Sequence, residues 1–192
     1  AAEELYHAVN KKELTVHYLL NNAGFGDYGE FANSDLKKQS DMINLNVLTL
    51  TNLTNLFVQD TKKRKQGKII NLASVACVKP GTTMSVYFAT KNYVLSFSEA
   101  IYEELKPYTI QVTALCPGQT ESEFGKVAGF KILDGSKKSS FPSSKEVAQF
   151  GFKKMMKGKD IAIHGFVNTT LTTLTRFAPR SIVRKIVRYR IK

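Results

Sequence analysis

The sequence has few of the features that mark secreted or membrane-spanning proteins. It contains only two cysteines, Cys77 and Cys116, which is too few for a disulfide framework. Each lies in an apolar stretch, so we expect both thiols to be reduced and structural. There is no run of about 18 apolar residues, and the first residues lack the charged and then apolar order of a secretion signal. A cytoplasmic protein is therefore the default expectation.

Acidic residues are scarce relative to basic ones. The chain has 16 Asp and Glu against 28 Lys and Arg, a formal net charge of +12. Such an excess favours contact with nucleic acid or an anionic membrane. We do not expect nucleic acid as a partner, because the aromatic residues are spaced as core residues and no recognised reading module is present. The plainer interpretation of the charge is a solvated basic surface.

Strand and helix patterns alternate along the chain, and there is no internal repeat and no metal-ligand cluster. Apolar runs predict strands at 15–20, 67–74, 109–115 and 160–167, with helical patterns at 1–12, 40–65, 85–107 and 143–157. Gly67 is available as the stop of the helix at 40–65. Strands that alternate with helices form parallel sheets. The sequence therefore predicts one α/β domain over residues 1–192, a doubly wound parallel sheet that ends in a basic helical tail at 176–192.

The most informative stretch is Gly67-Lys-Ile-Ile-Asn-Leu-Ala-Ser74, followed by Tyr87-Phe-Ala-Thr-Lys91. The first part predicts a buried strand that places Ser74 at its carboxyl end, the edge where open parallel sheets bind ligands. Tyr87 and Lys91 are four residues apart on a predicted helix and so share one face. A phenol has a pKa of about 10, and a nearby cation lowers it. Lys91 is placed to activate Tyr87.

Three further stretches carry small or polar residues at predicted strand ends or inside a helix. Asn21-Asn22-Ala23-Gly24 follows an apolar strand, and alone it is an ordinary Asn/Gly turn. Asn46 lies among apolar residues of a helix, and alone it is best interpreted as a buried structural amide. Cys116-Pro117-Gly118 follows another strand.

In this order the stretches resemble the active-site signature of the short-chain dehydrogenase/reductases. The Tyr-x-x-x-Lys pattern alone is common on helices, but the spaced combination is specific, and the resemblance covers essentially the whole chain. It implies a Rossmann-like oxidoreductase that transfers hydride between NAD(P), with NADP preferred over NAD, and a small-molecule carbonyl or alcohol substrate. It also implies a homo-oligomer packed through the long apolar helix at 85–107.

The resemblance assigns roles to individual residues. It implies that Tyr87 is the acid/base, that Lys91 lowers the pKa of Tyr87 and binds the nicotinamide ribose, and that Ser74 holds the substrate oxygen. Asn46 would bend its helix locally and hold a water in the proton path. The implied cofactor-binding residues are Asn22, Ala23 and Gly24 at the adenosine, Pro117, Gly118 and Thr120 at the nicotinamide, and again Tyr87 and Lys91.

One part of the family pattern has no counterpart in residues 1–192, namely the first strand with its glycine-rich phosphate-binding turn and helix. Gly24, Gly26 and Gly29 follow the Asn-Asn turn and do not form that loop. We therefore expect the chain to be the C-terminal two-thirds of a Rossmann-like domain, truncated at its N-terminal side. The alternative is a non-catalytic remnant that binds a partner or a surface.

Two segments near the C-terminus complete the expectations. Residues 125–142 are rich in Gly, Lys and Ser, and we expect a mobile loop over the substrate pocket. In the tail, Ile182, Val183, Ile186 and Val187 fall at helical spacing. This stripe can pack on the core or lie on an anionic membrane, and we favour packing because the stripe is short and lacks Trp or Phe anchors.

Overall fold

The computed structural model of the protein describes residues 1–129 and 141–191, which form a parallel sheet covered by helices. The sheet contains β1 (Tyr18–Asn21), β2 (Gly67–Leu72), β3 (Ile110–Cys116) and β4 (Ile161–Ile163), in the spatial order β1-β2-β3-β4. Every pairing between neighbours is parallel. The predicted fold class, a Rossmann-like α/β parallel sheet, is confirmed.

The helices of the described residues are α1 (Ala2–Lys11), α2 (Leu36–Ile43), α3 (Leu50–Arg64), α4 (Ser85–Leu105), α5 (Phe124–Val127), α6 (Ser144–Met156), α7 (Phe166–Phe177) and α8 (Arg180–Ile191). A π-helical segment, Asn44–Thr49, joins α2 to α3. Side chains begin two of these helices, since Asp35 accepts a hydrogen bond from the Lys37 amide at 2.7 Å and Ser143 accepts one from the Glu146 amide at 3.2 Å. None of these helices combines the length and apolar character needed to cross a bilayer.

Helices cover both faces of the sheet, and β3 shows this directly. Ala114 packs with Leu50 and Val94 of α3 and α4, whereas its neighbour Leu115 packs with Val147 of α6. Successive residues of a strand point to opposite faces, so both sides of β3 are buried in apolar contacts. This is the doubly wound arrangement that the alternating pattern predicts.

Several predicted boundaries are wrong for local backbone reasons. The last strand was expected to reach residue 167, but it ends at Ile163 because Gly165, at φ +90°, turns the chain into α7. Gly67 was expected to stop the preceding helix, but Lys65 does so in a left-handed conformation at φ 53°, and Gly67 begins β2. The long helix predicted at 40–65 is divided by the π-helical segment.

A chain of buried side-chain hydrogen bonds crosses the sheet. Asn21 Nδ2 donates to Asn71 Oδ1 at 2.8 Å and to Thr54 Oγ1 at 2.9 Å, and Asn71 Nδ2 donates to Ser98 Oγ at 2.9 Å. All four residues are buried. Asn21 and Asn71 are also register partners in the pairing of β1 with β2. These hydrogen bonds therefore tie β1 and β2 to α3 and α4.

Removal of the central amide should destabilise the protein. In Asn71→Ala, Asn21 and Ser98 lose their partner inside the core, and each buried group left unsatisfied costs about 1–3 kcal/mol. We expect the free energy of unfolding, measured by urea denaturation, to fall by about 2 kcal/mol or more. The control is Asn52→Ala, because Asn52 is exposed on α3 and alanine is the better helix former there. Equal effects of the two substitutions would contradict the structural role of the buried chain.

Candidate active site

The predicted site residues follow the carboxyl ends of three neighbouring strands. Asn22, Ala23 and Gly24 follow β1, Ser74 lies just beyond β2, and Pro117, Gly118 and Thr120 follow β3. Backbone hydrogen bonds join the last two segments, from the Ala73 amide to Leu115 O at 2.8 Å and from the Val75 amide to Pro117 O at 3.0 Å. Because the strands are parallel, all of these residues meet at one edge of the sheet.

Tyr87 lies in the first turn of α4 and is buried. Its ring packs against Phe124, with ring centroids 5.2 Å apart, and against Phe88. Burial raises the pKa of Tyr87 to about 12, and a hydrogen bond with the Ser74 side chain acts in the opposite direction. The structure therefore brings Ser74 and Tyr87 together, as the resemblance implies.

Lys91, one turn further along α4, is also buried. Its Nζ donates a hydrogen bond to Leu72 O at 2.6 Å and lies 5.9 Å from the centroid of the Tyr87 ring. Burial lowers the pKa of Lys91 to about 8. A Cβ placed on Gly24 would lie 3.5 Å from this Nζ, so Lys91 reaches from the end of β2 to the turn after β1.

The effect expected of Lys91 on Tyr87 is not found. We expected Lys91 to lower the pKa of Tyr87, but that pKa is raised. The reason is that apolar surroundings disfavour both charged forms, the phenolate of Tyr87 and the ammonium of Lys91. At neutral pH the Tyr87 hydroxyl therefore keeps its proton and is available as a proton donor.

Asn46 lies inside the π-helical segment, so the local distortion expected at this residue is present. Its Nδ2 donates to Phe25 O at 2.9 Å and to Thr90 Oγ1 at 3.1 Å, and its Oδ1 accepts from the Phe25 amide at 3.2 Å. A Cβ on Gly24 would lie only 2.8 Å from Oδ1, so glycine is required for this close approach. Asn46 thus joins the turn after β1 to α4, and its part in a proton path stays a prediction.

The two cysteines lie beneath this edge of the sheet, with their sulfurs 3.8 Å apart. Both are buried and free in the structure, and their reduced state stays a prediction. The hydrogen bond between them lowers the pKa of the Cys77 thiol and raises the pKa of the Cys116 thiol. Among the described residues no group of His, Cys, Asp or Glu side chains is arranged to hold a metal ion.

The structure adds residues to the site that sequence reasoning missed. Thr90 connects the catalytic candidates, since its Oγ1 donates to Tyr87 O at 2.7 Å and accepts from Asn46. No sequence signal marks Thr90 beyond its position between Tyr87 and Lys91. The tail also contributes, because Val183 and Val187 of α8 are buried in the cluster that contains Tyr87. Their helical spacing predicted a packed stripe but not which part of the core it covers.

The fold is that of the α/β parallel-sheet proteins that bind ligands at the carboxyl edge of the sheet, where Ser74, Tyr87 and Lys91 converge, and comparison with known proteins identifies the family. Residues 1–129 match the family profile described as short chain dehydrogenase. This match covers more than half of the chain. The chain therefore belongs to the short-chain dehydrogenase/reductase family, whose members are NAD(P)-dependent oxidoreductases.

Individual relatives agree with this assignment. Ketoacyl reductase HetN of Nostoc sp. is 29% identical over 161 residues, which cover 84% of this chain and 55% of the relative. The very-long-chain 3-oxoacyl-CoA reductase of Rattus norvegicus is 30% identical over 166 residues, which cover 82% of this chain and 52% of the relative. The chain thus spans about half the length of these relatives.

A solved structure shows the same fold with a cofactor present. The short-chain dehydrogenase of Sphingobium yanoikuyae in complex with NADPH is similar with a TM-score of 0.73 and 25% sequence identity. The match covers 90% of this chain and 68% of that protein.

The burial of Lys91 predicts a stability difference that depends on pH. An unfolded lysine has a pKa of about 10.4, whereas the pKa of Lys91 in the fold is about 8. The fold disfavours the ammonium, so stability contributed by Lys91 is present above the unfolded pKa and is lost as the pH falls through the folded pKa. Relative to Lys91→Met, the free energy of unfolding of the wild type should rise by about 3 kcal/mol between about pH 7 and pH 10.5, measured by urea denaturation.

The matched control is Lys153→Met, because Lys153 is exposed on α6. Its difference from the wild type should stay constant over this pH range. A constant difference for Lys91→Met as well would show that Lys91 is solvated rather than buried.

Proposed function

We propose that the protein containing this chain transfers hydride between NADPH and a carbonyl or alcohol carbon, with Tyr87 as the acid/base. The observation that carries the proposal is the convergence of a protonated phenol, a serine hydroxyl and a buried lysine at the carboxyl edge of a parallel sheet. NADP is favoured over NAD because the Sphingobium relative binds NADPH and because a 3-dehydrocapnine reductase, 30% identical over 127 residues, is NADPH-dependent.

The residues at this edge are assigned to both halves of the cofactor. The space that a side chain would take at Gly24 is filled by Asn46 and Lys91, and the space at Gly118 is filled by Asn168, so glycine lets both turns pack closely against these side chains. In the proposal Asn22, Ala23 and Gly24 line the adenosine, and Pro117, Gly118 and Thr120 contact the nicotinamide.

The bound cofactor supplies hydride chemistry, and the side chains supply the proton and the geometry. In the direction of reduction, the Tyr87 hydroxyl gives its proton to the carbonyl oxygen while Ser74 Oγ donates a hydrogen bond to the same oxygen. Lys91 Nζ donates to the nicotinamide ribose. Asn46 and Thr90 keep α4 and the turn after β1 in register with one another. Positioned proton transfer of this kind typically contributes about 10²–10⁴-fold to the rate.

The protonation of Tyr87 suits reduction. Burial raises the pKa of Tyr87, so the proton needed by a carbonyl oxygen is in place at neutral pH, whereas oxidation of an alcohol needs the phenolate. This is the reason to place a ketone ahead of an alcohol as the first substrate to test.

The surroundings of Tyr87 are apolar. The buried cluster around Tyr87 contains Met84 and Phe88 as well as Val183 and Val187 of α8, with Phe124 packed against it. An apolar substrate suits such surroundings better than a charged one. The relatives named above reduce ketoacyl compounds, so a carbonyl on an aliphatic chain is the proposed substrate class.

Two apolar features beside and on α4 support a homo-oligomer. An open apolar groove of about 380 Å³ runs between the π-helical segment and α4, lined by Ile43, Val47, Ser85, Val86, Ala89 and Thr90. Nearby on α4 the half-exposed Tyr93 stacks on Phe97 with ring centroids 5.7 Å apart. This apolar surface supports a homo-oligomer packed through α4.

A single domain over 1–192 and a cytoplasmic location complete the proposal.

The second candidate is a non-catalytic module that binds a partner or a surface. It is favoured by the formal net charge of +12, because a strongly basic surface suits an anionic partner.

Substitution of the proposed acid tests the enzyme. The complete protein is assayed with NADPH against 3-oxoacyl thioesters and bulky ketones, and turnover is followed by the loss of nicotinamide absorbance. We expect Tyr87→Phe to lower kcat by about 10²-fold or more, with NADPH affinity by calorimetry nearly unchanged. The control is Tyr93→Phe, on the exposed side of the same helix, which should keep wild-type turnover.

The outcomes separate the two candidates. Wild-type turnover in Tyr87→Phe would remove Tyr87 from the mechanism while leaving an enzyme. An unsubstituted protein that shows neither turnover nor NADPH binding would favour the non-catalytic module.

A further inference from the structure

The outer face of α7 is apolar and exposed. Phe166 and Phe177, at the two ends of the helix, expose 86% and 83% of their surface. Val167, Leu171 and Leu174 are exposed between them, and at 100° per residue these five side chains fall within one sector of the helix. The opposite side carries Thr172, which is buried. Large apolar side chains clustered in this way mark an interaction surface.

Helix α8 divides into three sectors. Val183 and Val187 face the core and are buried in the cluster around Tyr87. Ile182, Ile186 and Tyr189, spaced by four and three residues, form an exposed apolar stripe, with Tyr189 87% exposed. The remaining sector is basic and exposed, and it consists of Arg180, Arg184, Lys185 and Arg188. The apolar stripe and the basic sector lie side by side.

The positive charge of this region has little internal compensation. Asp160 is the last acidic residue in the sequence. Arg176 pairs with Glu99 at 3.7 Å, but within the described residues no carboxylate pairs with Arg180, Arg184, Lys185 or Arg188 of α8. A cluster of uncompensated cations beside exposed apolar side chains is complementary to a surface that is anionic outside and apolar beneath.

We propose that α7 and α8 together form a docking surface for an anionic lipid bilayer. Helices that bind at such interfaces combine apolar side chains, which enter the headgroup region, with Lys and Arg, which meet the anionic lipids. The tail alone lacks aromatic anchors of the Phe or Trp type, but Phe166 and Phe177 of α7 supply two. A second copy of this chain is the poorer occupant, because it would bring two basic sectors together.

Packing and docking therefore use different sides of α8. The alternatives stated for the tail are compatible, since Val183 and Val187 pack on the core while Ile182, Ile186 and the basic residues stay exposed. Docking through this surface places the bilayer on one side of α8 and the buried cluster around Tyr87 on the other. The inference rests on exposure and charge, so it is independent of the proposed reaction.

Vesicle flotation tests the docking surface, because aggregates sink while bound protein floats. The complete protein is mixed with vesicles of phosphatidylcholine, with or without phosphatidylserine. It should float with the anionic vesicles at low salt and much less with the neutral ones. Arg184→Gln, Lys185→Gln and Arg188→Gln combined should lower the partition coefficient about 100-fold, from about fivefold for each basic residue near the surface. Phe166→Ser with Phe177→Ser should lower it by about tenfold for each ring.

Matched variants control for charge and for aromatic side chains elsewhere. Lys11→Gln with Lys12→Gln removes two exposed basic residues at the C-terminal end of α1, and Phe31→Ser removes an exposed aromatic that is 67% accessible. Both should float like the wild type. Three results would each overturn the proposal. The first is that the wild type does not float with anionic vesicles, and the second is that the α7 variant or the α8 variant floats as well as the wild type. The third is that soluble polyglutamate displaces the protein from the vesicles while the Phe substitutions leave its binding to polyglutamate unchanged, which would assign the surface to an acidic protein instead.

Discussion

The hydrogen bond from Asn21 to Asn71 is the interaction on which the arrangement of this site depends. It joins the last residue of β1 to its register partner in β2, so a shift of one residue between these strands would separate the two amides. Ser98 extends the connection to α4, the helix that carries Tyr87 and Lys91. The distance between the turn after β1 and the face of α4 that carries Tyr87 and Lys91 is therefore fixed by buried polar groups.

Local pattern was enough to predict the four strands, though not all of their ends, and the places of Ser74, Tyr87 and Lys91. Tyr87 and Lys91 share a face because four residues make about one helical turn, and Ser74 lies at the sheet edge because it ends an apolar run. The family resemblance added Asn46, and the structure places it beside Gly24.

What the sequence did not predict depends on contacts between distant residues. The pKa of Tyr87 was expected to fall, but it is raised because Tyr87 is buried. The residues that bury it, Phe124 and the two valines of α8, lie far from it in sequence, so the local pattern does not reveal them. Two chain turns were also not predictable from sequence. The helix before β2 ends at Lys65, in a left-handed conformation, although Gly67 was the expected stop. The last strand, β4, ends earlier than its alternating pattern indicates. Pattern predicts which residues are buried, but their electrostatic environment follows only from the assembled core.

The π-helical segment has a consequence for the tolerance of this chain to insertions and deletions. A wide turn holds one residue more than an ordinary helical turn, so the segment takes up an extra residue while α3 keeps the phase that a continuous α-helix from α2 would have. Deletion of a single residue there would restore regular α-helix and leave Thr54 facing Asn21 and Leu50 in the core. What would change is the local backbone that lets Asn46 reach Phe25 and Thr90. The segment thus serves the contacts of Asn46, whereas the packing of α3 on the sheet tolerates its loss.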